Sequence, residues 1–172
     1  LCVEHYHNAN NMTDRMAALT MLADIDDPAR VEALEDFYNR WQMDALVIDK
    51  WFTIQALSTL EDTLYTVKSL QQHDAFSLHN PNRVRALIGA FTSGNALRFH
   101  CADGAGYRFL TDCVLELDKL NPQIAARLLS PFGPWRRYDI GRQALIKCQL
   151  ERVLNKDGLS PGTYEIASKT IG

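Results

Sequence analysis

His5 and His7, two residues apart in EHYH, come nearest in this chain to a metal-ligand pair, and their spacing is wrong for one. A zinc hydrolase usually carries H-E-x-x-H, which stacks two imidazoles one helical turn apart with a glutamate base alongside. Residues two apart on a helix point in different directions, so this pair reads as exposed and incidental. His73, His79 and His100 lie beside turns without ligand spacing, where hydrogen bonding at a helix end is the plain expectation. Cys101 adjoins His100, but sequence neighbours seldom face one another and no partner suggests an activated thiol. CADGAGYRF (101–109) could offer backbone amides to an anion, yet it lacks G-x-G-x-x-G, a P-loop lysine and a preceding strand. Asp103 capping a helix after a tight glycine turn accounts for the same residues.

The arginines are more informative. WRRYD (135–139) mixes two aromatics with two guanidinium groups that could stack bases, but the plainer reading is a core edge with Asp139 opening the next helix. Trp51 and Phe52 in DKWF read as core packing. In NPNRVRALIGAF (80–91), Arg83 and Arg85 flank an apolar face made by Val84, Leu87, Ile88 and Phe91, with surface ion pairing expected for one of them. Arg127 sits among small and apolar residues in QIAARLL, where a permanent charge needs a carboxylate, a carbonyl or a ligand.

Helices must position these groups. Five prolines, Pro28, Pro81, Pro122, Pro131 and Pro161, follow Asp, Asn or Ser, the pairing in which a side chain caps orphan amides and proline takes the first helical position. Apolar residues then recur at three and four: Val31, Leu34 and Tyr38; Val84, Leu87, Ile88 and Phe91; Ile124, Leu128 and Leu129. The pattern predicts helices at about 13–24, 28–43, 45–58, 61–73, 81–91, 104–118, 122–130, 140–155 and 161–170. No alternating β-branched run with a hairpin turn occurs, so the fold class is all-α.

The breaks between these helices are short and rich in turn formers, none resembles an interdomain linker, and one domain is expected. NPNRVRALIGAF and NPQIAARLLSPF (121–132) share Asn, Pro, Leu and Phe, and DPARVEAL (27–34) matches NPNRVRAL at five positions. The two Asn-Pro steps are 41 residues apart and Ser160-Pro161 follows 39 residues later. That is close to the roughly 40-residue period of HEAT and armadillo repeats, and it predicts a superhelical array of antiparallel helix pairs.

Composition excludes several function classes. No stretch approaches the roughly 20 apolar residues of a membrane span. A net charge of −3 gives no global attraction for nucleic acid. Cys2, Cys101, Cys113 and Cys148 form no C-x-x-C pair and read as small buried hydrophobes of a reduced, cytoplasmic protein. Asn11-Met12-Thr13 fits a glycosylation acceptor, a pattern common by chance. The opening residues show no signal or transit peptide, and the chain reads as cut from something longer.

Six segments together carry a resemblance: NANNMTDRMAAL (8–19), LVIDKWFTIQA (46–56), HNPNRVRALIGAF (79–91), FHCADGAGYRFL (99–110), LNPQIAARLLSPF (120–132) and YEIASKTIG (164–172). In order, and over nearly the whole chain, they resemble the C-terminal helical domain of bacterial aminopeptidase N, a gluzincin zinc metallopeptidase. The resemblance implies that residues 1–172 form a single helical-repeat domain of a longer aminopeptidase chain. It implies an upstream catalytic domain with one zinc ion and a Gly-x-Met-Glu-Asn loop for the substrate's amine; both that zinc motif and that loop are absent here. It implies a superhelix that closes over the catalytic domain, encloses a chamber and restricts peptide access, without catalytic or metal-binding residues of its own. Arg85, Gln123 and Arg127 match the family's chamber-facing positions, where they would contact peptide substrates beyond the scissile bond through charge-assisted hydrogen bonds. On this reading the isolated chain is inactive and has no nucleic-acid or membrane partner. A free-standing helical-repeat scaffold for a protein partner is the main alternative, and a nucleic-acid binder using WRRY, with steeply salt-dependent binding, is the other.

Overall fold

A computed structural model describes residues 1–172, which form helices and turns without a strand. The α-helices are α1 (Cys2–Asn8), α2 (Met12–Ala23), α3 (Pro28–Trp41), α4 (Ala45–Ala56), α5 (Thr63–Leu70), α6 (Pro81–Val84), α7 (Ala96–Phe99), α8 (Ala105–Leu117), α9 (Pro122–Leu128), α10 (Ile140–Leu154) and α11 (Pro161–Ile171). A π-helix, Arg85–Gly94, continues α6, and 3-10 turns occupy Ser130–Phe132 and Trp135–Arg137.

Capping explains where most of these helices begin. Asp27 accepts the Ala29 amide at 2.8 Å, Asn80 that of Asn82 at 3.0 Å, Asn121 that of Ile124 at 3.2 Å and Ser160 that of Thr163 at 3.3 Å, each before a proline in the first turn. Asp139 caps α10 through the Arg142 amide at 3.0 Å, as expected from the sequence. Pro131 departs from the pattern. Its preceding Ser130 makes no capping hydrogen bond, and the residues wind into a single 3-10 turn because α9 has just ended at Leu128. Asp103 acts one residue earlier than expected: Gly104, in the left-handed region at φ 67°, is the residue before α8, and Asp103 accepts the Ala105 amide at 3.0 Å. Among the glycines, Gly106 permits the closest approach, since a Cβ there would sit 2.3 Å from the Phe99 carbonyl oxygen.

Two rows of helices build the array. α8 packs on both α9 and α10, while α9 and α10 each pack on α11; upstream, α4 packs on α3, α5 and the π-helix. A contiguous apolar core passes through the whole stack, and the repeated residues Leu34, Leu87 and Leu128, with Phe91 and Phe132, all lie in it. Phe91 meets Phe99 edge-on at 6.1 Å and Phe109 at 5.7 Å, tying the π-helix to α7 and α8. Trp51 and Phe52 are buried as expected, whereas Val31, at the position equivalent to buried Val84, is 49% exposed and borders an open cavity shared with residues of α4 and α5. Helix α1 had no signal in the sequence; it is held by Tyr6, fully buried, whose hydroxyl donates to Asp36 at 2.8 Å.

Candidate functional site

Arg85, Gln123 and Arg127, singled out from the sequence, meet at one groove. Arg85 and Ser93 of the π-helix face Gln123, Arg127 and Ser130 of the next repeat across about 510 Å³. Gln123 and Arg127, one turn apart on α9, also border a second cavity of about 610 Å³, whose far wall is Ser160, Pro161, Glu165 and Ile166 from α11. Because the two cavities share that edge, they adjoin as one trough. The opening prolines of three successive repeats, Pro81, Pro122 and Pro161, all line it, together with residues further along each helix.

Buried polar groups behind the trough hold those first turns in place. Arg83, 8% exposed, reaches back to pair with the Asp49 carboxylate of α4 and donates to the carbonyls of Ala45 and Ala75 at 2.9 Å each. Of the two arginines in NPNRVRALIGAF, Arg83 is therefore the structural one, and its ion pair is buried where a surface pair was expected. Asp118 at the end of α8 accepts the Ser160 amide at 2.9 Å and the hydroxyls of Ser160 and Thr163 at 2.5 Å each, anchoring the start of α11. Burial opposes the Asp118 charge, but these hydrogen bonds outweigh it and hold the carboxyl below its ordinary range.

The trough is positively charged. Arg127 is exposed and takes part in none of the chain's ion pairs, so the carboxylate or carbonyl partner expected for it is not supplied by this chain. Arg85 donates to Asn82 in its own first turn, which leaves most of its guanidinium unengaged. No Asp or Glu lines the groove between them. In the adjoining cavity Glu165 is the one carboxylate, and it pairs with Lys169 at 2.5 Å. Two guanidinium forks with an amide and hydroxyls between them can bind and orient a carboxylate-bearing or peptide ligand.

The remaining candidates disperse. His5 and His7 are exposed on α1, and no three His, Cys, Asp or Glu side chains converge to hold a metal, so the zinc implied by the resemblance has no ligand set in this chain. The His100 ring bridges Tyr107 at 2.9 Å and Tyr138 at 3.0 Å instead of facing Cys101. Burial, with the nearby Arg142 charge, lowers its pKa. Arg136 stacks on Trp135 at 4.4 Å and donates to the Ile171 carbonyl at 2.9 Å, so WRRY fastens the end of α11. Cys113 is buried, but Cys148 is exposed on α10, against the expectation that all four thiols pack in the core.

A family model described as "Domain of unknown function (DUF3458_C) ARM repeats" matches residues 1–172. The chain belongs to this family. It is 43% identical to aminopeptidase N of Haemophilus influenzae and 40% identical to that of Escherichia coli, in each case over 99% of this chain and 20% of the relative. Aminopeptidase N of Caulobacter vibrioides is 43% identical over 98% of this chain and 20% of its own length. Among solved structures, Legionella pneumophila aminopeptidase A in complex with aspartic acid superposes with a TM-score of 0.94 at 37% identity, covering 99% of this chain and 20% of that one. The chain thus spans about a fifth of the length of the relatives it matches, and the matched region is the C-terminal domain of aminopeptidase N. ARM-repeat membership agrees with the helical array expected from the roughly 40-residue period.

Ser93, Ser130, Gly89 and Glu165 were not singled out from the sequence. The register of the two Asn-Pro segments carried part of the signal, since it places Gly89 and Ser130 at equivalent positions, and both line the same groove.

Proposed function

We propose that this ARM-repeat chain is a non-catalytic wall of a zinc-dependent aminopeptidase that removes N-terminal residues from peptides in the cytoplasm. It packs on the upstream catalytic domain of the same protein, helps to enclose the chamber and positions the peptide beyond the cleaved bond. One observation carries this reading: Arg127 presents an unpaired guanidinium to a trough that has no carboxylate between it and Arg85. A group held in that state is suited to a ligand carboxylate or carbonyl, through hydrogen bonds strengthened by charge. Bond cleavage is assigned to the upstream domain, where a bound zinc ion supplies Lewis-acid polarisation and an activated water. What these residues contribute is orientation and the exclusion of bulk solvent. The isolated chain is accordingly expected to fold without hydrolysing peptides.

The test is Arg127→Ala in the full-length protein. Loss of one charge-assisted contact should lower kcat/KM for oligopeptides about tenfold while leaving single-residue amide substrates unchanged. Equal losses on both substrate classes would contradict the assigned role.

A further inference from the structure

Gly89 lies mid-way along the π-helix, between Arg85 and Ser93, and lines the trough with them. Its backbone is not in the left-handed region; the glycines that are, Gly104 and Gly158, lie elsewhere. Nor does packing require a glycine. A Cβ built on Gly89 would meet only the Val84 carbonyl oxygen at 3.8 Å and the Arg85 Cβ at 3.9 Å, both ordinary contacts. Gly106 and Gly94 differ, because a Cβ there would come within 2.3 Å of the Phe99 oxygen and 2.7 Å of Leu57 Cδ2. Glycine inside a helix destabilises it relative to alanine, so the residue at 89 has a cost that neither conformation nor packing offsets. Such local inconsistencies collect at functional sites, as do π-helical segments. Gly89 itself lines the groove that holds Arg85 and Arg127, and a Cβ there has no neighbour closer than 3.8 Å. Ser130, at the equivalent position of the next repeat, is also small and lines the same groove.

We infer that Gly89 is a specificity-determining residue whose missing side chain keeps the trough open to the main chain of an extended peptide. The inference rests on the trough being the peptide-facing wall proposed above. It adds a steric determinant to the electrostatic one: the arginines attract, and the bare backbone at 89 sets how bulky a chain can pass between them.

The experiment uses the full-length protein with Gly89→Leu and Gly89→Ala. Melting temperature is measured first, then kcat/KM for an oligopeptide and for a single-residue amide. Both variants should melt at or above the temperature of the parent. Gly89→Leu should lose about tenfold on the oligopeptide, Gly89→Ala about threefold, and neither should lose on the amide. Unchanged oligopeptide hydrolysis in a variant that melts normally would overturn the inference, and so would parallel losses on both substrates. If leucine lowers the melting temperature, the alanine variant, whose Cβ fits the space, decides by the same comparison. Arg127→Ala, measured alongside, separates the two ideas. A selective loss with Arg127→Ala but none at position 89 removes the steric role and leaves the wall standing. Failure of Arg127→Ala to discriminate removes the wall reading itself.

Discussion

Arg83 and Arg85 are two residues apart where α6 runs into the π-helix, and replacing each by methionine should have very unequal consequences for stability. Arg83→Met removes the partner of Asp49, whose side chain is only 19% exposed, together with the donors to the Ala45 and Ala75 carbonyls. It also removes a guanidinium stacked 5.6 Å from the Phe52 ring centre. Breaking a buried pair from one side costs about 3 to 5 kcal/mol, because the other charge stays buried without compensation. Asp49 retains some solvent contact, so the lower figure applies, about 3 kcal/mol. For a chain of this length each kcal/mol lowers the melting temperature by about 2 to 4 °C, giving a fall of about 6 to 12 °C. Arg85→Met removes only an exposed contact to Asn82 and should stay within about 0.5 kcal/mol. Arg83→Lys should not restore the parent value, since one ammonium cannot match a planar fork that serves a carboxylate and two carbonyls. Thermal unfolding followed by circular dichroism at 222 nm reads all three variants. A loss below about 1 kcal/mol for Arg83→Met, or an equal loss for Arg85→Met, would refute the division into structural and trough-facing arginines.

The two other predictions concern titration and thiol access. His100 has a lowered folded pKa, so below its unfolded value of about 6.5 the unfolded chain takes up a proton that the folded chain resists. The stability linked to His100 is therefore complete above that pH and is lost as pH falls through the window down to the folded pKa. His100→Gln should flatten this part of the melting-temperature profile, and a profile parallel to the parent would show that the residue is not the titrating group. Burial pushes the Cys113 thiol up to about 12, overcoming the Gln71 hydrogen bond, whereas Cys148 is exposed. A disulfide reagent should label Cys148 in the native chain and reach Cys113 only after unfolding. Labelling of both at one rate would contradict the packing of α8.

Helix starts were legible because capping is a local event: Asp27, Asn80, Asn121, Asp139 and Ser160 each bind an amide two or three residues onward. The repeat period was legible for the same reason, and with it the expectation of stacked helix pairs. By itself, then, the sequence determined the all-α class, the repeat, the family resemblance and the candidacy of Arg85, Gln123 and Arg127. Tertiary structure decided where those residues lie and what surrounds them. Arg83 finds Asp49 at a separation of 34 residues, and Asp118 finds Ser160 at 42, distances over which helical periodicity says nothing. Only the stacking of α9 against its neighbours makes a trough shared by three repeats, with Gly89 and Ser93 of the π-helix lining it. The physical reason is range: hydrogen bonds within a turn are written in adjacent residues, while burial and groove shape arise from surfaces that meet only when the chain has folded.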